Sequence, residues 1–191
     1  MRSEYLLQSD FDWEKKMTRE ELGKLIVRTS RITGTFKLRS GTTSNVYFDK
    51  YRFEADPNLL SSIAKELAKI VPDGTDRLIG LEMGGIPLAT ALSLETGMPV
   101  GFCRKKAKEY GTCQQIEGGV KAGEKVTIIE DVITSGGAVI EAIKALRDAG
   151  NEILAVLCVV DRESGGAEKF RELNVPFKPL YTWSELDKLT E

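Results

Sequence analysis

The stretch "KVTIIEDVITSGGAV", Lys125 to Val139, sets an apolar run, two adjacent carboxylates, a threonine, a serine and two glycines in fifteen residues. "KVTIIE" has the unbroken apolar character of a strand covered on both faces. "AVIEAIKALRDAG" then repeats apolar residues at helical spacing, with Val139, Ile143 and Leu146 turned inward and Gly150 as the stop. "DVITSGG" is thus predicted as the turn between a strand and a helix. In open α/β sheets ligands gather at the carboxyl ends of strands, and the N–H groups of a helix N-terminus favour a phosphate. Thr134, Ser135, Gly136 and Gly137 suit that task, because hydroxyls donate to phosphate oxygens and glycines let the backbone come close. Glu130 and Asp131 would repel a phosphate set directly beside them. They are expected to be solvent-accessible at the strand end and to accept hydrogen bonds from ribose hydroxyls or act through a bound cation. The implied ligand is a sugar phosphate. No GxxxxGK[ST] is present, which excludes a P-loop, and "GLEMGG" after "RLI" lacks the GxGxxG of a dinucleotide fold.

Outward from this turn the chain alternates. Thr18 and Glu21 form a predicted capping box ahead of Leu22, Leu25 and Ile26, giving a helix near 18–31. "TFKLRSGTTSNVYFDKYRF" reads as two short strands around a glycine and serine turn. Asp56 and Pro57 open a helix with Leu59, Leu60, Ile63, Leu67 and Ile70 on one face, closed by "DGTD". There follow a strand "RLIGLE", a helix from Pro87 to Thr96 with Pro87 at its first position, and a strand "PVGFCRK". The strand "KVTIIED", a helix from Ala138 to Ala149 and the strand "EILAVLCVVD" complete the pattern. Continuous apolar strands separated by helices predict a parallel sheet covered on both faces.

Composition narrows the function classes. The chain has 191 residues, 41% of them hydrophobic, enough for one domain over 1–191. Its 27 basic and 29 acidic side chains sum to −2, so there is no global basic field for nucleic acid, and any anion site is local. Three cysteines without CxxC spacing and no histidine count against zinc. No run of about eighteen apolar residues occurs, so no membrane segment is predicted and a cytoplasmic protein is expected. "RKKAKEYG" places Arg104, Lys105, Lys106 and Lys108 within five positions between Gly101 and Gly111, and the polar continuation "TCQQIEGGVKAGE" reads as a long structureless lid.

With these residues in view, "VTIIEDVITSGGAV" resembles the phosphoribosyl-pyrophosphate signature of the type I phosphoribosyltransferases, and in particular of their orotate-using branch. "FKLRSGTTSNVYFD" is similar to that family's N-terminal hood, "GLEMGGIPLA" to its pyrophosphate loop, "RKKAKEYG" to its mobile catalytic loop and "VVDRESGG" to the strand end that reaches the base. The resemblance implies an α/β fold, a mainly parallel central sheet flanked by helices, with a small hood within 18–55 and a core over about 56–180. It implies transfer of a phosphoribosyl group from phosphoribosyl pyrophosphate to orotate in the presence of Mg2+, with Glu130 and Asp131 reaching the metal only indirectly. Arg104, Lys105, Lys108 and Tyr110 would bind phosphoribosyl pyrophosphate together with Glu130, Asp131, Val132, Ile133, Thr134, Ser135, Gly136, Gly137 and Ala138. Lys108, Arg104 and Asp131 would be catalytic, and Arg39, Thr134 and Arg162 would meet orotate, Arg162 through its carboxylate. The implied assembly is a homodimer in which each loop enters the neighbour's site, with no nucleic-acid or membrane partner. Two departures stand out: many members carry histidine where Tyr110 stands and lysine where Gly84 stands. A purine or xanthine phosphoribosyltransferase and a non-catalytic sensor of phosphoribosyl pyrophosphate are the alternative readings.

Overall fold

The computed structural model describes residues 17–37, 41, 43–106 and 115–190. Helix α1 (Arg19–Ser30) begins where the capping box predicts: Thr18 accepts from the Glu21 backbone while the Glu21 carboxylate takes the Thr18 N–H. Strands β1 (Arg31–Lys37) and β2 (Thr43–Phe48) pair antiparallel as a small separate hairpin. A short helix that the sequence reading did not anticipate, α2 (Lys50–Ala55), follows, capped by Asp49. Asp56 and Pro57 then start α3 (Pro57–Ala68) as expected, with Asp56 accepting from the Asn58 and Leu59 amides.

The remaining chain builds a sheet in the order β5-β4-β3-β6-β7-β8. Strands β3 (Arg77–Leu81), β4 (Val100–Cys103), β6 (Lys125–Ile133), β7 (Glu152–Asp161) and β8 (Phe177–Thr182) run parallel. The two-residue β5 (Ile116–Glu117) pairs antiparallel with β4 at one edge. That strand corrects the expectation of a wholly structureless stretch after the cationic cluster: Arg104 N–H donates to Gln115 O and ties its start to the sheet.

Successive strand residues face opposite ways, so neighbours feed two cores. Leu78, Ile129 and Leu157 pack with α1, α3 and helix α4 (Gly85–Thr96) on one side. Ile79, Ile128 and Val156 pack with α5 (Gly137–Asp148) and α6 (Gly166–Glu172) on the other. Each fully buried leucine or isoleucine contributes about 2 kcal/mol. Pro87 stands third in α4 rather than first, a position that costs nothing because first-turn amides have no intrahelical acceptor. After β8, Thr182 and Glu185 form a second capping box that opens α7 (Trp183–Asp187). Among the described residues no helix is long and apolar enough to cross a membrane.

Candidate active site

Four parallel strands end on the same edge, and each delivers a segment singled out in the sequence. β3 leads into Glu82–Gly85, β4 into Arg104 and Lys105, β6 into Thr134–Gly136 and β7 into Arg162. Glu82, Arg104, Lys105, Gln115 and Ala138 line one cleft between the first three of these segments. Lys105 N–H donates to Glu82 Oε2 at 3.1 Å, and Arg104 Nε is buried with no acceptor among the described residues. Lys108, Tyr110 and Arg39 lie outside the described residues.

Glu130 and Asp131 are not accessible strand-end carboxylates, and that expectation is corrected. Strand β6 continues to Ile133, which pairs with Asp161, so both acids lie inside the ladder. Asp131 has no exposed surface and Glu130 only 9%. Buried charge requires a partner, and Lys50 on α2 supplies it, its Nζ 2.6 Å from Asp131 Oδ2. Burial raises the Asp131 carboxyl, but hydrogen bonds from Glu130, Glu54 and Lys50 outweigh it and hold the group below its ordinary range. Burial and the neighbouring Asp131 push Glu54 up to about 9 and Glu130 well above the usual carboxylate value. Asp131 is therefore the acid of the cluster held toward its ionised form, while Glu54 and Glu130 are pushed toward their protonated forms. Geometry agrees: among the described residues buried Glu54 Oε1 has no donor, and Asp131 Oδ2 has none besides the Lys50 ion pair, so a proton on Glu54 satisfies both.

The glycines of the pyrophosphate-loop segment act through space rather than through dihedral freedom. Gly84 has ordinary helical angles, but a Cβ there would fall 1.6 Å from Asp131 Oδ2. A Cβ on Gly85 would meet the Ile129 carbonyl oxygen at 2.2 Å. The Glu82–Met83 peptide in this segment is cis.

The turn predicted between strand and helix joins β6 to α5. Thr134, Ser135, Gly137 and Ala138 are exposed, at the N-terminus of α5, where the first amides lack intrahelical acceptors. Gly136 adopts φ 72° against the Phe170 ring, a conformation and a contact that a side chain would not tolerate. Lys169 Nζ donates to Ser135 O at 2.9 Å and steadies the turn. Val132 is half-buried and Ile133 is 2% exposed in the core, so the Ile133 side chain is spent on packing and only its backbone can face a ligand.

Arg162 is anchored by its own N–H, which donates to Ile133 O at 2.8 Å. Its guanidinium lies 3.8 Å from the Trp183 ring centroid and is half-buried, and this burial lowers its affinity for a proton. No carboxylate or carbonyl among the described residues takes its N–H groups. Phe48 packs edge-on against Trp183 at 5.3 Å, and Phe36 lies against Tyr47 at 5.4 Å.

Sequence reasoning missed Lys50, Glu54 and Trp183. For the first two a signal existed: Asp49 is an N-cap type, and Asp56–Pro57 marks a following helix start, which brackets a six-residue helix. No group of three or more metal-ligating side chains occurs among the described residues. With Asp131 paired to Lys50 and no such group present, the described side chains do not make a resident metal cage. They fit an Mg2+ carried mainly by substrate phosphates and water, which is how that ion usually binds.

A mainly parallel sheet with a glycine-flanked turn, a buried acid pair and basic residues at its strand ends suits a phosphoribosyl-transferring class of protein, and comparison with known proteins places the chain there. The family model described as the phosphoribosyl transferase domain matches residues 52–178. An orotate phosphoribosyltransferase of Nocardioides is 52% identical over 161 residues, 84% of this chain and 90% of that protein. The orotate phosphoribosyltransferase of Mycobacterium tuberculosis superposes with a TM-score of 0.81 at 30% identity in its Fe(III) dicitrate complex, covering 88% of this chain and 98% of that one. Its complex with 5-phospho-alpha-D-ribosyl 1-diphosphate gives a TM-score of 0.75 at 28% identity, over 88% and 98% of the two chains. The chain belongs to the orotate phosphoribosyltransferase family.

Proposed function

We propose that this protein transfers the 5-phosphoribosyl group of phosphoribosyl pyrophosphate to orotate, in the presence of Mg2+, giving orotidine 5'-monophosphate and pyrophosphate. The observation that carries the choice of base is Arg162. Its planar fork of donors stands at the end of β7 with no acceptor among the described residues, in a half-buried setting where a charge-assisted bond to the carboxylate of orotate gains most. A neutral purine can offer that fork the acceptors O6 and N7 but no negative charge, so it gains less from this setting.

The residues divide the remaining work by charge. The α5 N-terminus, with Thr134, Ser135, Gly136, Gly137 and Ala138, receives the 5'-phosphate on backbone amides and hydroxyls. Asp131, the ionised member of its cluster, would accept from the ribose hydroxyls on release from Lys50, which holds it buried in this structure, with Glu130 beside it. As the bond from C1 to the pyrophosphate oxygen breaks and the bond from C1 to the orotate nitrogen forms, the ribose gains oxocarbenium character and negative charge grows on the departing group. Arg104, Lys105, Lys108 and the hydroxyl of Tyr110 meet that charge. Mg2+, bound mainly through the phosphates, would neutralise part of the same charge, with Glu130 and Asp131 reaching it only indirectly. Arg39 of the hood and Thr134 complete the surroundings of orotate. The protein acts as a cytoplasmic homodimer in which the segment carrying Lys108 serves the neighbouring subunit.

The test is a product assay of the pure protein with phosphoribosyl pyrophosphate and Mg2+ against orotate, uracil, adenine, hypoxanthine and xanthine. Orotidine 5'-monophosphate with orotate and no nucleotide with the purines is expected. Turnover of a purine in place of orotate overturns the assignment, and tight binding of phosphoribosyl pyrophosphate without turnover of any base makes the protein a sensor.

A further inference from the structure

Arg162 is held by an aromatic face rather than by an anion, and this determines what its donors can do. A guanidinium has its five N–H groups in one plane, while a cation–π contact uses the face of that plane. The contact with the Trp183 ring, 3.8 Å from the guanidinium carbon to the centroid, therefore restrains the guanidinium and leaves its N–H groups without an acceptor among the described residues. A carboxylate partner would have fixed it as well, but would have occupied the edge that a ligand needs. An arginine free in solvent would have to give up its rotamer freedom on binding.

Trp183 is itself held on several sides. The Phe48 ring of the hood hairpin meets it edge-on at 5.3 Å and 89°. The Thr182–Glu185 capping box sets the start of α7. The Ser184 N–H and hydroxyl both donate to Glu163 Oε2, at 2.7 and 2.6 Å, tying α7 to the loop that carries Arg162. The backbone of Arg162 is pinned to Ile133 O beside the phosphate turn. A continuous set of contacts thus runs from the hood through Trp183 to Arg162.

We infer that Trp183 is the positioning residue for the base carboxylate: it presents Arg162 with its guanidinium plane set and its donor edge free, and so sets the affinity for a carboxylated pyrimidine. This rests on the orotate reading above. It assigns a specificity role to a side chain that never touches the reacting atoms.

The test compares Trp183→Leu, Trp183→Phe and the parent protein in steady-state kinetics, with thermal unfolding as a check on folding. Trp183→Leu should raise KM for orotate about tenfold, with KM for phosphoribosyl pyrophosphate and kcat within about twofold of the parent. Trp183→Phe, which keeps a ring face, should recover most of that loss. A folded Trp183→Leu protein with unchanged KM for orotate, or with equal rises for both substrates, overturns the inference. If the parent protein does not turn over orotate at all, it is the orotate reading that fails. Should Trp183→Leu not fold, fluorescence decides: in a Trp13→Phe protein, whose only tryptophan is Trp183, orotate should change the emission and uracil should not. That change should vanish on adding Arg162→Leu. An emission insensitive to orotate at concentrations that saturate turnover overturns the inference.

Discussion

Lys50 Nζ lies 2.6 Å from Asp131 Oδ2, and this contact joins a short helix of the N-terminal part to the central strand of the sheet. The lysine side chain is 32% exposed and the aspartate not at all. Removing one partner of a buried pair strands the other charge, which costs about 3 to 5 kcal/mol in fully buried cases. Because Lys50 is partly solvated, Lys50→Met should cost about 2 kcal/mol in urea unfolding at pH 7. Asp131→Asn introduced into Lys50→Met should cost less than it does in the parent protein, with a coupling of about 1 kcal/mol. Purely additive losses would mean that the pair is not coupled in solution.

Glu54 gives a pH signature. Its carboxyl is raised by burial and by Asp131 from the ordinary 4.5 to about 9, so between those values the folded chain holds a proton that the unfolded chain has released. Stabilisation from that proton is complete below pH 4.5 and is lost as pH rises toward 9. Glu54→Gln, which keeps a donor toward Asp131, removes the dependence. In unfolding measurements without divalent cations its stability relative to the parent should increase steadily from pH 5 to pH 9. A constant difference over that range would place Glu54 among ordinary ionised carboxylates.

Two glycines near the site should respond oppositely to alanine. A methyl on Gly85 would lie 2.2 Å from a backbone carbonyl oxygen that cannot turn aside, so Gly85→Ala should lose about 3 kcal/mol of stability. Gly137 has open space around its Cβ position. Gly137→Ala should fold like the parent, yet weaken phosphoribosyl-pyrophosphate binding about tenfold by standing a methyl where the phosphate approaches α5. Calorimetric titration and thermal unfolding of both variants check the contrast.

The shared-site dimer can be tested by complementation. Lys108→Ala and Asp131→Ala homodimers should both be nearly inactive. Random exchange makes half the dimers hybrid, each with one site built wholly from intact segments, so activity should return to about a quarter of the unmodified level. Activity that stays at the parental background after confirmed exchange would put Lys108 in its own subunit's site or outside the chemistry.

Much of this architecture can be read from local signals. The Thr18–Glu21 box, the Asp56–Pro57 start and the apolar runs around Ile128 and Val156 depend on near neighbours, and the structure places them as read. The carboxyl cluster was less legible, because whether Glu130 and Asp131 face solvent depends on how far β7 continues the ladder and on a lysine from another element. Helix α2 is a single six-residue stretch in which aromatic residues suggest strand. Trp183 was invisible for a related reason: Pro179 lies inside edge strand β8, where a proline argues against strand, and the stack on Arg162 exists only once β7 and α7 are adjacent.

The central claim is that the guanidinium of Arg162 reads the carboxylate of the base, and steady-state kinetics of Arg162→Leu test it most directly. Loss of a charge-assisted contact costs about 1.5 to 3 kcal/mol, so KM for orotate should rise about 10- to 150-fold while KM for phosphoribosyl pyrophosphate stays near that of the parent. An equal rise for both substrates, or an unchanged KM for orotate in a folded variant, would contradict the account.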